Sequence, residues 1–140
     1  AELRRTPFLG WSTAVLGNLF IDRHDRARAM AQLRRARPLL DQGISVLVFP
    51  EGTRSPTGRM LPLRKGGIVL AVDAGLPILP VSISGTRAIL PPDTLALLPG
   101  RVTITIHPPI PTTGVGPSDI DALADRVRDA IVSGLQPDEI

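Results

Sequence analysis

Apolar and polar residues follow two different periods along the chain, and together these periods predict an α/β protein. Short apolar runs rich in β-branched residues are typical of buried strands, and a strictly alternating run is typical of a strand with one polar face. The predicted strands cover residues 19–21, 44–49, 77–83 and 101–107. Apolar residues at helical spacing predict helices over residues 7–16, 26–42, 65–75 and 119–133. This order predicts a single α/β domain with a mixed or mostly parallel sheet flanked by helices.

Local signals mark several helix ends. Pro38 is expected to kink or interrupt the helix over residues 26–42, because proline lacks the N–H that a helix interior uses. Ser118 and Asp121 form a Ser-x-x-Asp capping box that is expected to start the last helix. Gly134 is expected to end that helix, and the residues after it are expected to be loose. The predicted buried face of the last helix comprises Ile120, Leu123, Val127 and Ile131.

The charge distribution indicates an anionic partner. Residues 1–65 carry 12 Lys and Arg against 5 Asp and Glu, a net charge of +7, whereas residues 66–140 carry 4 against 8, a net charge of −4. A basic half favours a phosphorylated substrate, a membrane surface or a nucleic acid. Aromatic residues make up only 3% of the chain, too few for a stacking platform, and no nucleic-acid-binding motif occurs. No nucleic-acid partner is therefore expected.

Composition also limits the chemistry. The chain has no cysteine, which excludes disulfides, thiolate catalysis and cysteine zinc sites. Its two histidines lack the spacing of metal ligands, so no metal site is expected. The uncharged run over residues 8–21 is shorter than the roughly 20 apolar residues of a membrane-spanning helix. We interpret it as a buried helix leading into a strand; interfacial membrane contact through Phe8, Leu9 and Trp11 is the alternative.

The candidate chemistry lies in residues 49–55, Phe-Pro-Glu-Gly-Thr-Arg-Ser, which we call the central loop. It follows a predicted strand, and ligands of open α/β sheets bind where loops leave the carboxyl ends of strands. Gly52 allows close approach, while Thr53 and Arg54 offer donors that suit phosphate or carboxylate. Glu51 would position Arg54 or a substrate hydroxyl. The alternative is a surface turn with a salt bridge.

Arg23 stands at the end of another predicted strand, as Arg54 does. Two arginines at neighbouring strand ends could bracket one phosphate, although Arg23 also lies in a stretch crowded with surface arginines. Arg64 and Lys65 are unusual at the start of a helix, where cations oppose the helix dipole. A bound anion there would relieve that conflict; two solvated side chains are the alternative.

The central loop resembles, letter for letter, the phosphate-binding motif of the lysophospholipid acyltransferase family, whose best-known members are the 1-acylglycerol-3-phosphate acyltransferases. Three further segments resemble the family's other motifs in order and spacing. They are Gly17–Arg23 (ending Phe-Ile-Asp-Arg), Leu63–Gly67 (Leu-Arg-Lys-Gly-Gly) and Leu76–Val81 (Leu-Pro-Ile-Leu-Pro-Val). The resemblance covers nearly the whole chain and implies the glycerolphosphate acyltransferase-like α/β fold.

The resemblance also implies a function and its residues. The family moves a fatty acyl group from acyl-CoA or acyl carrier protein to a lysophospholipid such as lysophosphatidate, in phospholipid biosynthesis, without a further cofactor. The implied phosphate-binding residues are Arg23, Gly52, Thr53 and Arg54, with Glu51 supporting them; Lys65, Gly66 and Pro80 lie in neighbouring family motifs. A protein of this kind is expected at the cytoplasmic side of an anionic membrane, bound peripherally, with any membrane anchor outside this chain.

The chain departs from the family at its catalytic motif, a His, four residues and then an Asp. Ala29 stands five positions after His24, and Thr112 stands five positions after His107, so neither histidine provides the motif. His24 and Asp25 are adjacent and would point to opposite sides of an extended segment. Residues 1–140 are therefore expected to be a partial acyltransferase domain without its N-terminal catalytic segment, and to be inactive alone. The alternative is a non-catalytic module that binds lysophospholipid or an anionic membrane.

Overall fold

The computed structural model describes residues 31–32, 34–92, 94 and 96–140 of the 140-residue chain. The predicted helix over residues 7–16, the predicted strand over residues 19–21 and Arg23 lie outside these residues. The chain divides into two compact units, Ala1–Val48 and Phe49–Ile140.

In the first unit, Pro38 interrupts the helix predicted over residues 26–42. Residues 31, 32 and 34 are helical, residues 35 and 36 form a turn, and helix α1 follows over Arg37–Asp41. Pro38 lies in the first turn of α1, where its missing N–H leaves no helical hydrogen bond unmade. Gly43 follows the helix with a φ of +78°, so the prediction that the helix ends there is confirmed.

The prediction of a strand over residues 44–49 is wrong, because the structure assigns no strand there. These residues form no β-ladder with any residue that the structure describes. The side chains are not buried either, because Leu47 and Phe49 are 75% and 67% exposed. A strand needs a hydrogen-bonded neighbour, and an apolar run cannot supply one by itself. Its predicted neighbour, residues 19–21, lies outside the described residues.

The second unit carries most of the described regular structure. Its elements are α2 (Gly66–Ala74), β1 (Val81–Ser84), α3 (Thr86–Ile89), β2 (Thr103–Ile106) and α4 (Ile120–Val132). Two 3₁₀ turns, Pro117–Asp119 and Pro137–Glu139, flank α4. The predictions of α2, α4 and both strands are confirmed with fewer residues in each element, although β1 ends one residue beyond its predicted bound. Helix α3 lies between the two strands, where the sequence predicts no helix. Within the described ranges, no helix is long and apolar enough to span a membrane.

Strands β1 and β2 pair antiparallel, with Val81 opposite Ile106 and Ser84 opposite Thr103. A single bridge between Ile78 and Ile110 continues the pairing beyond the strands. Pro80 lies between that bridge and β1, where a proline is tolerated because the ladder does not need its N–H. A mixed sheet accommodates an antiparallel pair of this kind.

Helices α2 and α4 form the core together with the sheet. Leu123, Ala124 and Val127 of α4 are buried against Ile68 of α2. The half-buried side chains around them are Leu63, Val72, Ile78, Ile110, Val115, Ile120 and Ile131. The predicted apolar face of the last helix is therefore confirmed.

The start of α4 differs from the predicted capping box. The turn Pro117–Asp119 precedes the helix, and the Asp119 carboxylate accepts a hydrogen bond from the Gly116 N–H at 2.9 Å. The Ser118 hydroxyl contacts Asp119 instead of capping a helical N–H. The prediction of Ser118 as the cap is wrong because Asp119 lies one position closer to the helix and closes the turn before it.

The residues after α4 are held in place, so the expectation that they are loose is also wrong. The Glu139 carboxylate accepts hydrogen bonds from the Ser84 hydroxyl, the Gly85 N–H at 2.9 Å and the Gln136 N–H at 3.1 Å. The Met60 N–H donates to the Glu139 carbonyl at 2.9 Å. Burial raises the pKa of Glu139, but the hydrogen bonds from Gly85, Ser84 and Gln136 outweigh it and leave the pKa below its ordinary value.

Candidate functional site

The central loop begins with a tight turn. The Gly52 N–H donates to the Phe49 carbonyl at 3.1 Å, and Gly52 has a φ of +70°. This left-handed conformation is readily adopted only by glycine. The turn therefore requires a glycine at the position where the sequence predicted close approach of a ligand.

Residues 61–64 hold the first half of the loop. The Glu51 Oε2 accepts a hydrogen bond from the Leu61 N–H at 2.8 Å, and the Arg64 N–H donates to the Pro50 carbonyl at 2.8 Å. Arg128 of α4 donates to the Leu61 carbonyl at 3.2 Å. Glu51 thus supports the loop backbone. The predicted contact between Glu51 and Arg54 is not made.

The Arg64 side chain lies across Gly52. A Cβ added to Gly52 would stand 2.9 Å from Arg64 Nε and 3.0 Å from Arg64 Cδ. A second guanidinium therefore lies beside the loop. The sequence marks Arg64 as an unusual cation at a helix start where an anion could bind, but it does not predict that Arg64 lies beside the central loop. Arg64 is held near Gly52 because its N–H donates a hydrogen bond to the Pro50 carbonyl.

Thr53 and Arg54 take no part in this support. Both residues are exposed, and neither forms a side-chain hydrogen bond or ion pair within the part of the chain that the structure describes. Arg54 keeps its five N–H donors available to an anion, and their planar arrangement matches two oxygens of a phosphate. The loop thus presents one exposed guanidinium and one hydroxyl on a backbone that hydrogen bonds hold in place.

The neighbouring residues of the predicted site occupy different surroundings. Lys65 Nζ lies 2.6 Å from Asp121 Oδ1, with 48% and 75% of the two side chains exposed. Such an exposed pair contributes about 0–1 kcal/mol, so an anion could compete for Lys65. Gly66 is the first residue of α2. Pro80 is buried and its carbonyl accepts the His107 N–H at 3.0 Å, a structural role in the sheet.

Arg23 and His24 lie outside the described residues, so the bracketing of one phosphate by Arg23 and Arg54 stays a prediction. Metal ions are usually held by three or more carboxylate, histidine or cysteine side chains. No such group occurs among residues 31–32, 34–92, 94 and 96–140.

His107 forms a pair with Ser82 that has a structural explanation. Ser82 is fully buried, and its Oγ lies 2.7 Å from His107 Nε2. The Ser82 hydroxyl donates to the Ile131 carbonyl at 2.5 Å, so His107 Nε2 must be the donor to Ser82. A hydroxyl whose proton is held by a carbonyl is not an activated nucleophile. The bond from Ser82 to Ile131 joins β1 to the end of α4, and His107 holds the Ser82 hydroxyl in place.

Comparisons with known proteins identify the family to which the chain is similar. The model of the family described as Acyltransferase matches residues 1–84. A 1-acyl-sn-glycerol-3-phosphate acyltransferase of Pseudomonas aeruginosa is 40% identical over 91% of this chain and 49% of its own length. One from Chlamydomonas reinhardtii is 37% identical over 94% of this chain and 39% of its own length.

A solved structure has the same fold. The crystal structure of the 1-acyl-sn-glycerophosphate (LPA) acyltransferase PlsC from Thermotoga maritima superimposes with a TM-score of 0.76 at 36% identity, over 95% of this chain and 52% of that chain. The α/β acyltransferase fold expected from the sequence is confirmed. The chain spans about half the length of that structure and less than half of the two curated relatives.

Proposed function

The chain belongs to the acyltransferase family, and we propose that it is part of an enzyme that transfers a fatty acyl group to the free hydroxyl of lysophosphatidate or a similar lysophospholipid. The names of its relatives support this reaction class. The observation that carries the proposal is the central loop, with Arg54 exposed on a backbone that Glu51 and Arg64 brace.

The loop would bind the phosphate of the acceptor. Arg54 would contribute a two-pronged charged hydrogen bond, and Thr53 a hydroxyl or a backbone N–H. Gly52 lets the phosphate approach the backbone, and Glu51 keeps that backbone in place. An anchored phosphate would hold the acceptor hydroxyl at a fixed distance from the reacting groups, which lowers the entropic part of the barrier.

Acyl transfer in this family requires the histidine and aspartate of a His-x4-Asp motif, which does not occur in residues 1–140. A general base takes the proton of the acceptor hydroxyl while the oxygen attacks the thioester carbonyl, and the thiol of coenzyme A or acyl carrier protein leaves. In the family, the histidine and aspartate of the His-x4-Asp motif serve as base and orienting carboxylate. A positioned base contributes roughly 10²–10⁴-fold. Little turnover is therefore expected from residues 1–140 alone.

The proposed location is the cytoplasmic side of a membrane, to which the protein would bind peripherally. The net charge of +7 on residues 1–65 supports this location. Each basic residue near an anionic membrane surface contributes about 1 kcal/mol. The lysophospholipid acceptor and the product of its acylation both reside in that surface.

Binding of a short-chain lysophosphatidate, below its critical micelle concentration, tests the proposed acceptor. The control ligand is the monoacylglycerol with the same acyl chain, which lacks only the phosphate. We expect residues 1–140 to bind lysophosphatidate at least about tenfold more tightly, because one charged hydrogen bond is worth about 1.5–3 kcal/mol. Equal affinity for the two ligands would contradict the proposal.

Turnover separates the enzyme from the non-catalytic binding module. Acyl transfer from acyl-CoA should be near the background rate for residues 1–140 and should appear in a longer chain that carries the His-x4-Asp motif. Phosphate-dependent binding without turnover in that longer chain would favour the binding module. A rate for residues 1–140 equal to that of the longer chain would contradict the assigned role of the motif.

A further inference from the structure

Arg87 of α3 contacts the far end of the central loop. Its Nη1 donates to the Ser55 carbonyl at 3.2 Å and its Nη2 donates to the Pro56 carbonyl at 3.0 Å. The planar guanidinium can bond two adjacent carbonyls at once because its donors are fixed in a fork. Glu51 and Arg87 thus hold the two ends of the residues that carry Thr53 and Arg54.

The turn after the loop is shaped to receive Arg87. The Gly58 N–H donates to the Ser55 Oγ at 3.0 Å and closes the turn. A Cβ added to Gly58 would stand 2.8 Å from Arg87 Cδ and 3.1 Å from Arg87 Nε. Gly58 also has a φ of +90°, which favours glycine. Any other residue at this position would displace the Arg87 side chain.

The helix that carries Arg87 is fixed to the same part of the molecule. The Glu139 carboxylate accepts the Gly85 N–H, directly before α3, and the Glu139 carbonyl accepts the Met60 N–H. One C-terminal turn therefore holds both the start of α3 and the segment that follows the loop. Arg87 joins two segments whose separation is already set, so its hydrogen bonds can fix the position of the loop.

We propose that Arg87 is a positioning residue that holds the Ser55 end of the central loop, so that Thr53 and Arg54 meet an anionic group in a preformed arrangement. This inference rests on the proposed function of the loop. Arg87 acts through the backbone, because its Nη1 and Nη2 donate to two carbonyls of the loop and the turn after it. Holding a binding loop in its bound shape raises affinity by removing the entropy that ordering would otherwise consume.

Three variants separate positioning from simple charge. Arg87→Ala removes the guanidinium, and Arg87→Lys keeps the charge but loses the fork. Gly58→Ala keeps Arg87 and its charge but displaces the side chain. Arg126→Ala is the matched control, because Arg126 is an exposed arginine of α4 without a hydrogen bond or ion pair within the described ranges.

Two measurements are made on each variant. The first is the dissociation constant for the short-chain lysophosphatidate, and the second is hydrogen–deuterium exchange of the amides of residues 52–58. We expect Arg87→Ala and Gly58→Ala to weaken binding about tenfold, which is the equivalent of one charged hydrogen bond, and to raise amide exchange. Arg87→Lys should fall between Arg87→Ala and the original protein. Arg126→Ala should change neither measurement.

Three results would overturn the inference that Arg87 positions the loop. Unchanged exchange with weakened binding would mean that Arg87 contacts the ligand directly. Equal weakening in Arg87→Ala and Arg126→Ala would mean that only net charge matters. Unchanged binding and exchange in Arg87→Ala would mean that Arg87 does not hold the loop. If the original protein shows no preference for lysophosphatidate over the monoacylglycerol, the proposed function fails, while the exchange of residues 52–58 still decides whether Arg87 holds the loop.

Discussion

At the scale of the residue, Gly52 determines how the central loop can be built. It combines a φ of +70° with a close contact to the Arg64 side chain, 2.9 Å from where a Cβ would stand. The conformation keeps the turn closed, and the missing Cβ lets a second guanidinium lie beside the loop. Substitutions at two glycines, one with both features and one with the left-handed conformation alone, can separate the effects of the two features on binding and stability.

We predict that Gly52→Ala weakens lysophosphatidate binding, because the new methyl group displaces Arg64 and distorts the turn. Gly114→Ala is the matched control, since Gly114 has a φ of +77° and nothing within 4 Å of an added Cβ. Both variants should lose stability by about 1–2 kcal/mol from the left-handed conformation. Binding titrations and urea denaturation measure the two effects. Full affinity in Gly52→Ala would show that this shape of the loop is not needed for binding.

At the scale of the element, helices α2 and α4 hold the loop's support. Residues 61–64 bond the loop and lead directly into α2, which packs on α4 through Ile68 and Leu123. The sequence predicts both helices well, because their apolar residues recur at helical spacing and neighbouring glycines mark their ends. It does not predict the start of α4, where Asp119 closes a 3₁₀ turn and replaces Ser118 as the stabilising side chain.

Leu123→Ala should destabilise the protein by about 2–5 kcal/mol, since it leaves a cavity where a fully buried leucine packs between the helices. Leu123 is only 2% exposed. Urea denaturation measures the change, and Arg126→Ala on the exposed face of α4 should stay within about 0.5 kcal/mol. A loss for Leu123→Ala as small as that of the control would place Leu123 outside the core.

At the scale of the whole chain, the contacts that the sequence does not reveal join distant positions. Lys65 pairs with Asp121, and Arg87 bonds the carbonyl of Ser55. No local pattern encodes such a pair, because each partner is chosen by how the elements pack. The same limit explains residues 44–49, whose apolar run was predicted to be a buried strand and has no described neighbour. The turn of the central loop is predicted from its own residues, because the conformational freedom of Gly52 is a local property. Phosphate binding by Arg54 stays a prediction.

The C-terminal turn makes stability depend on pH. The pKa of Glu139 is lower in the folded protein than its ordinary value of 4.5, so the folded state binds the proton less readily than the unfolded chain. Its contribution is therefore present above pH 4.5 and is lost as the pH falls through the lowered pKa. Urea denaturation at neutral and acidic pH should show a smaller acid-dependent loss for Glu139→Gln than for the original protein.

Asp138→Asn is the control for Glu139→Gln, because Asp138 is exposed in the same turn. It should keep the acid-dependent loss of the original protein. If Glu139→Gln also keeps that loss in full, the hydrogen bonds to Ser84 and Gly85 do not fasten the end of the chain in solution.

One comparison of three proteins tests whether the loop binds the phosphate of an acyl acceptor through Arg54. The dissociation constant for short-chain lysophosphatidate is measured for the original protein, Arg54→Ala and Arg126→Ala, with the matching monoacylglycerol as the phosphate-free ligand. We predict that Arg54→Ala loses about 1.5–3 kcal/mol of binding free energy for lysophosphatidate only, and that Arg126→Ala loses little. Unchanged affinity of Arg54→Ala for lysophosphatidate would show that Arg54 does not bind the acceptor phosphate.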